Sequence, residues 1–263
     1  MTSYVALLLF LAVLPVIIIL FFVYFRDKNK EPIPLLIILF FSGFISAALV
    51  LIISEIMGKF LPFMNINRVD TTFVDILLYA FIGVALVEEF SKGIMTYIVG
   101  YHHKEFDETY DGMVYAIFVS LGFAFLENIL YVINTSSVNT ALLRAVSAVP
   151  SHACDAIFMG YYLSIAKQFS IRGKHKLEKR NLILGLLVPT VIHGIYDFCL
   201  LYGQPILMTI FVAFVIFLFI TSNKKLKALS TQNKKIKFKN KFCHVCGKAV
   251  TGEFCAKCGT KQI

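Results

Sequence analysis

Four groups of ionisable residues interrupt long apolar runs of this chain. They are Glu88-Glu89-Phe90-Ser91-Lys92, Glu127-Asn128, Arg144 followed by His152 and Asp155, and His193 followed by Asp197. A charge at the centre of a membrane helix costs roughly 2.5 to 3.5 kcal/mol, so such groups face a bundle interior or a water-filled cavity. Glu88 and Lys92 are four residues apart, as are His193 and Asp197, so each pair shares a helix face. A lone buried Glu–Lys pair is commonly structural, and a lone imidazole often only bonds a neighbouring helix. Three Glu, two His and two Asp arriving together point to chemistry, and the chemistry they suit is hydrolysis. Two imidazoles and a carboxylate hold Zn²⁺ with a position open for water, whose pKa then falls to about 7. In a metal-free version the glutamate pair activates water, and an imidazole with Asn128 stabilises the oxyanion. A Cys154 nucleophile is disfavoured, because it lies about 200° around the helix from His152, and no GxSxG motif occurs. The competing reading is a transporter or sensor that uses the same groups as a proton or ion relay.

A division of labour follows from helix geometry. Glu88 and Glu89 project about 100° apart, so one acts on water while the other orients a partner. The i,i+4 relation assigns Glu88 to Lys92 and leaves Glu89 for water activation. Asp197 is placed to hold the second ring nitrogen of His193, and Asp155 to do the same for His152. With zinc present, His152, His193 and Glu127 are the expected ligands. Lys92, Asn128, Arg144 and Asp155 support them, with Arg144, His152 and Asp155 on one helical stripe.

The elements that must carry these groups are membrane spans. The 263 residues are 58% hydrophobic and 16% charged, with a mean hydropathy of +0.78, which excludes an ordinary soluble enzyme, a disordered chain and a disulfide-rich secreted module. About 20 apolar residues cross the hydrocarbon core as helix. Seven such segments are expected: Tyr4 to Phe25, Ile33 to Ile53, and about 74–99, 112–133, 142–166, 181–201 and 206–221, the last short and entered through the Tyr202-Gly203-Gln204-Pro205 turn. The first has no basic leader region or cleavage site and reads as a retained span. At about 1.5 Å per residue, Glu88 and Glu89 lie about 15 Å from one membrane face, His193 about 18 Å, His152 about 21 Å and Glu127 about 22 Å. Four helices thus deliver their groups to one slab near the midplane.

Alternate loops at 26–31, 100–111 and 167–180 carry ten Lys and Arg, against two in the other set. The positive-inside rule puts the first set in the cytoplasm, the N-terminus outside and the C-terminus inside. Net charge divides sharply along the chain, −1 for residues 1–222 and +10 for 223–263. Segment 223–241 reads as a basic stop-transfer linker able to touch anionic lipid headgroups. No motif supports nucleic-acid binding. Segment 242–263 holds Cys243-x-x-Cys246-Gly and Cys255-x-x-Cys258-Gly, the spacing of a four-thiolate structural zinc site. So short a segment needs the metal to hold its fold.

Glu88-Glu89-x-x-Lys92, Phe123-x-x-x-Glu127-Asn128, His152 and His193-x-x-x-Asp197, in that order on successive helices, resemble the PrsW-type intramembrane proteases, distant relatives of the CAAX prenyl-protein endopeptidases. The tail is similar to zinc ribbons appended to bacterial membrane proteins. The resemblance covers about residues 30–220. It implies an endopeptidase acting on membrane-anchored proteins, with anti-sigma factors as the substrate type, by a metallo or glutamate mechanism. The CAAX branch carries His where this chain has Glu127, and Arg rather than Lys after its glutamate pair, so the resemblance favours the PrsW branch. The expected molecule is therefore an all-α, multi-pass membrane protease with catalytic Glu88, Glu89, Glu127, His152, His193 and Asp197, and a cytoplasmic zinc ribbon.

Overall fold

A computed structural model describes residues 2–231, 233, 235–236, 241–242, 245–246, 248–250 and 257–260. Nine α-helices dominate them. α1 (Thr2–Arg26) and α2 (Ile33–Phe60) form an apolar hairpin. A helical run then continues unbroken from Phe73 to Tyr101, as α3 (Phe73–Leu78), a π-helical stretch Tyr79–Leu86, α4 (Val87–Thr96) and a second π-helical stretch Tyr97–Tyr101. α5 (Asp111–Thr135), α6 (Val138–Val146), α7 (Ala148–Ile171), α8 (His175–Tyr202) and α9 (Pro205–Thr231) follow. α1, α2, α5, α8 and α9 are long and apolar enough to cross a membrane. The other two expected spans, the 73–101 run and α7, are the ones holding Glu88, Glu89, Lys92, His152 and Asp155. In the tail, β1 (Lys241–Phe242) pairs antiparallel with β2 (Ala249–Val250), while Cys243 and Cys255 of the expected zinc site lie outside the described residues.

α5 is the central post, packed against α1, α2 and α7. Glycine makes that possible at two crossings. A Cβ on Gly122 would lie 1.9 Å from the Phe40 carbonyl oxygen, and one on Gly160 would lie 2.3 Å from that of Gly112. Small residues let membrane helices approach to backbone contact. α5 consequently sinks all of its first fourteen residues into the core.

Two spans differ from the sequence reading. The expected 142–166 span is broken at Ser147, whose φ of −121° and ψ of −66° separate α6 from α7. Pro150 supplies the cause: it has no N–H to offer the Val146 carbonyl, and its ring would clash with that oxygen. Arg144 therefore does not share a helical stripe with His152 and Asp155. α9, expected to end near 221, runs on to Thr231. Lys225 lays its ammonium over the Tyr161 ring at 3.8 Å, and Leu226 is buried, so Lys224, Lys225 and Lys227 are carried on a packed helix.

The end of the bundle at the α1–α2 loop is closed by buried acids. Asp27, Glu31, Glu108 and Asp111 are all buried. Tyr115 donates to Glu31 at 2.7 Å, Asn29 to Glu108 at 2.5 Å, and the Glu108 amide to Asp111 at 2.7 Å. Asn233, beyond α9, bonds Glu108 and accepts from the Tyr110 amide, while Ser230 donates to the Arg26 carbonyl. Burial pushes the Asp27 carboxyl up to about 6 and that of Glu31 up to about 7.

Two outcomes are expected. Gly122→Ala lowers the melting temperature in detergent, at a cost of about 1–3 kcal/mol for overpacking, whereas Gly58→Ala, which opens on free space, does not. The raised carboxyls favour the neutral acid in the folded state. Their contribution is thus complete below the ordinary carboxylate range near 4 and is lost as pH rises through about 7. Melting curves of the wild type fall between pH 5 and pH 8, and the Asp27→Asn, Glu31→Gln double variant flattens that fall.

Candidate active site

The π-helical stretch Tyr79–Leu86 ends just before the glutamate pair. Such turns shift the register of a helix face and recur at functional sites. Here the pair divides as helix geometry requires, but in the opposite sense to the sequence reading. Glu89 is the enclosed member, its Oε1 2.5 Å from Lys92 Nζ and 2.9 Å from His193 Nδ1. Glu88 faces a cavity, with its Oε2 3.4 Å from Lys92 Nζ and 3.8 Å from His193 Nε2. The i,i+4 face relation holds for Glu88 and Lys92, yet the lysine reaches closer to Glu89.

Lys92 is the hub, 1% exposed, on the face of the Phe123 ring at 4.7 Å and 3.4 Å from His152 Nδ1. His152 directs Nε2 at Glu127 Oε2, 2.8 Å away. A carboxylate only accepts, so the network assigns the proton to Nε2 and the lone pair to Nδ1, toward the ammonium. His193 stands edge-to-face with His152 at 5.4 Å, its Nε2 3.4 Å from Asp197. Asp155 does not orient His152. It makes no hydrogen bond, and its Oδ2 lies 3.9 Å from His193 Nδ1. His152 and Asp155 are nearly one turn apart on α7, but α8 packs directly on this part of α7 and brings His193 to Asp155 instead.

Asn128 is likewise displaced from its expected role as oxyanion donor. It is fully buried, donates to the Ala12 carbonyl at 2.7 Å and accepts from Arg144 Nε at 2.7 Å, and so ties α5 to α1 and α6. Cys154 lines a separate cavity between α1, α7 and α9.

All the catalytic candidates except Glu89 line a cavity of about 530 Å³. Its floor holds Glu88, Glu127, His152, Asp155, His193 and Asp197. The exposed side chains of Leu143 of α6, Leu200 and Leu201 at the end of α8 and Met208 of α9 mark its mouth, at the end of the bundle opposite the 26–31 loop. Tyr79, Tyr131, Ser147, Ser151 and Tyr196 also line it. None of these five was identified from sequence, since a tyrosine or serine in an apolar run carries no signal of the side it faces.

Glu89, His152, Asp155 and His193 bring one donor atom each within 4.8 Å of one another. Glu89 Oε2 and both Asp155 oxygens are buried without a hydrogen-bond partner. Two imidazoles and two carboxylates with unclaimed oxygens are the donor types of a zinc site, so the residues fit a metal. The set differs from the expected one: Glu127 is engaged by His152 and Arg144, and Glu89 and Asp155 stand in the group instead.

Charge pairing at the hub gives a direct expectation. Lys92→Met leaves Glu89 buried without its cation and costs about 3–5 kcal/mol of stability. Adding Glu89→Gln recovers much of that loss in a double-mutant cycle read by thermal melting.

The sequence model described as PrsW family intramembrane metalloprotease matches residues 31–222. Curated relatives carrying the name Protease PrsW include one from Oceanobacillus iheyensis, 42% identical over 81% of this chain and 91% of its own length. Another from Bacillus subtilis is 37% identical over 71% and 79%, and one from Clostridioides difficile is 28% identical over 89% and 95%. No solved structure matches the chain. The family match stops where the basic tail begins.

Proposed function

The chain belongs to the PrsW family of intramembrane metalloproteases and is a peptidase of the membrane; from that premise we propose that it cuts a membrane-anchored protein at the cavity floored by Glu88, His193 and Asp197. The observation that carries this reading is the exposure of one glutamate of the pair to the cavity while Lys92 and His193 hold the other. Glu88 takes a proton from water as the water oxygen attacks the scissile carbonyl, and returns it to the amine as the C–N bond breaks. Glu89 accepts at Nδ1 of His193 and holds the ring, and the single Nε2 proton, which lies near Asp197 at rest, is donated to the oxyanion as it forms. A divalent ion bound by Glu89, His152, Asp155 and His193 supplies Lewis-acid activation of water when present.

The loop charges support a cytoplasmic location for the 26–31 end, with the N-terminus outside. The cavity mouth then faces the outer side, and the substrate is an anchored protein cut near that surface. Anti-sigma factors are the substrate type implied by the family resemblance. The tail is read as a cytoplasmic zinc ribbon with structural zinc on Cys243, Cys246, Cys255 and Cys258, and the basic linker before it as a contact for anionic lipid.

The test is full-length protein in liposomes with anchored peptides whose cleavable segment lies on one or the other side. New termini are identified by mass spectrometry, with and without a chelator. Products are expected from the side of the cavity mouth, and Asp197→Asn lowers their rate by about 10–100-fold. Cleavage confined to the opposite side contradicts the orientation, and an undiminished rate in Asp197→Asn contradicts the site.

A further inference from the structure

We propose that Arg144 is a positioning residue of the hydrolytic site, and that α6 must be seated on the bundle for that site to be assembled. The first half of this inference rests on the peptidase reading above; the second rests on geometry alone. α6 is a nine-residue helix between two breaks, capped at its start by Ser137, which accepts from the Thr140 amide at 3.2 Å. Within it only Ala141 is buried, while Leu142, Leu143 and Val146 are exposed. Little apolar burial therefore holds it down, and its polar anchor carries more of the task.

That anchor is Arg144. Its Nη2 lies 2.9 Å from Glu127 Oε2 as an ion pair without hydrogen-bond alignment, its Nε donates to Asn128 Oδ1 at 2.7 Å, and the guanidinium lies 4.0 Å from the Tyr131 ring centre. Asn128 passes the link on to the Ala12 carbonyl in α1. The oxygen that Arg144 holds is the same Oε2 that accepts from His152 Nε2. One carboxylate oxygen thus sits between a guanidinium from the wall and an imidazole from the floor, ion-paired to the first and hydrogen-bonded to the second. Fixing it sets the tautomer and ring direction of His152, and with them the nitrogen presented to Lys92. A planar fork that meets an acid, an amide and a ring together is specific to arginine, and a lysine cannot reproduce it. Thr140, Leu143 and Arg144 also form the wall of the cavity. Substrate arriving past Leu143 therefore meets a helix whose seating and whose alignment of His152 depend on the same side chain.

The experiment compares wild type, Arg144→Ala, Arg144→Lys and Glu127→Gln as full chains in liposomes. Anchored-peptide hydrolysis and solid-state ¹⁵N NMR of histidine-labelled protein are read together, with the His152 signal assigned by its loss in His152→Asn. Arg144→Ala is expected to lower kcat by about 10–100-fold, as loss of an orienting partner does, with KM changed much less. Arg144→Lys should not restore it. Added guanidinium ion should restore part of the rate in Arg144→Ala and none in Glu127→Gln. In the NMR spectrum His152 is a single tautomer protonated at Nε2 in the wild type and a mixture in Arg144→Ala. An unchanged kcat in Arg144→Ala overturns the proposal, as does a loss insensitive to guanidinium or a His152 signal that does not change. If the wild type yields no product while the histidine signal responds as expected, the peptidase reading fails and the positioning by Arg144 stands.

Discussion

A charge carried into a bilayer has to meet its counter-charge there, and in this chain that meeting takes place around Lys92. Its ammonium, closed off from solvent, contacts Glu89 and Glu88 of its own helix and faces His152 from α7, while Glu89 reaches on to His193 of α8. Each contact is local, yet together they require α4, α7 and α8 to arrive at one depth and one rotation. Separating any one helix would leave an ionised group in a low-dielectric interior, at a cost of several kcal/mol. Glycine contacts along α5 bring the bundle close enough for these side chains to reach one another, with Gly112 against Gly160 of α7 and Gly122 against α2. The cavity is what remains on the side of the cluster that Glu88 faces.

Much of this could be read in the sequence, because the bilayer imposes a simple rule. Apolar runs of sufficient length specified the helices, and the residues that violate the pattern come together in the fold: all six catalytic candidates belong to one connected network, five of them lining the cavity and Glu89 lying behind it. The hairpin at Tyr202 to Pro205 was likewise visible, and Gly203 takes the left-handed conformation that ends α8, with φ of 66°. Pairings between helices were not legible. Periodicity places His152 and Asp155 on a common face but says nothing about which neighbouring helix approaches it. Glu127 is the partner of His152, and Asp155 turns to His193. The order of Glu88 and Glu89 failed for a related reason. An i,i+4 spacing permits an ion pair without excluding the i,i+3 one, and here the shorter contact is to Glu89.

The break at Ser147 has a local cause in the sequence. Pro150 denies the Val146 carbonyl its hydrogen bond, and this one local defect turns an expected continuous span into a wall helix and a floor helix. Arg144 gains its reach into the cavity from that break. The π-helical turns before and after α4 have no comparable mark in the sequence, since nothing in Tyr79–Leu86 distinguishes such a turn from ordinary helix. Function follows the same division: residue types and depth indicate hydrolysis in a membrane, while the assignment of roles depends on which oxygen faces open space.

That assignment is the central claim, and the most direct measurement sets Glu88→Gln against Glu89→Gln, scoring turnover on an anchored peptide and thermal melting on the same preparation. Glu88→Gln is expected to lose turnover by about 10²–10⁴-fold, the scale of a general acid–base group, while melting within a few degrees of wild type. Glu89→Gln is expected to melt markedly lower, because Lys92 loses its closest counter-charge. The reverse pattern, with activity kept in Glu88→Gln and lost in a fully stable Glu89→Gln, would contradict the account.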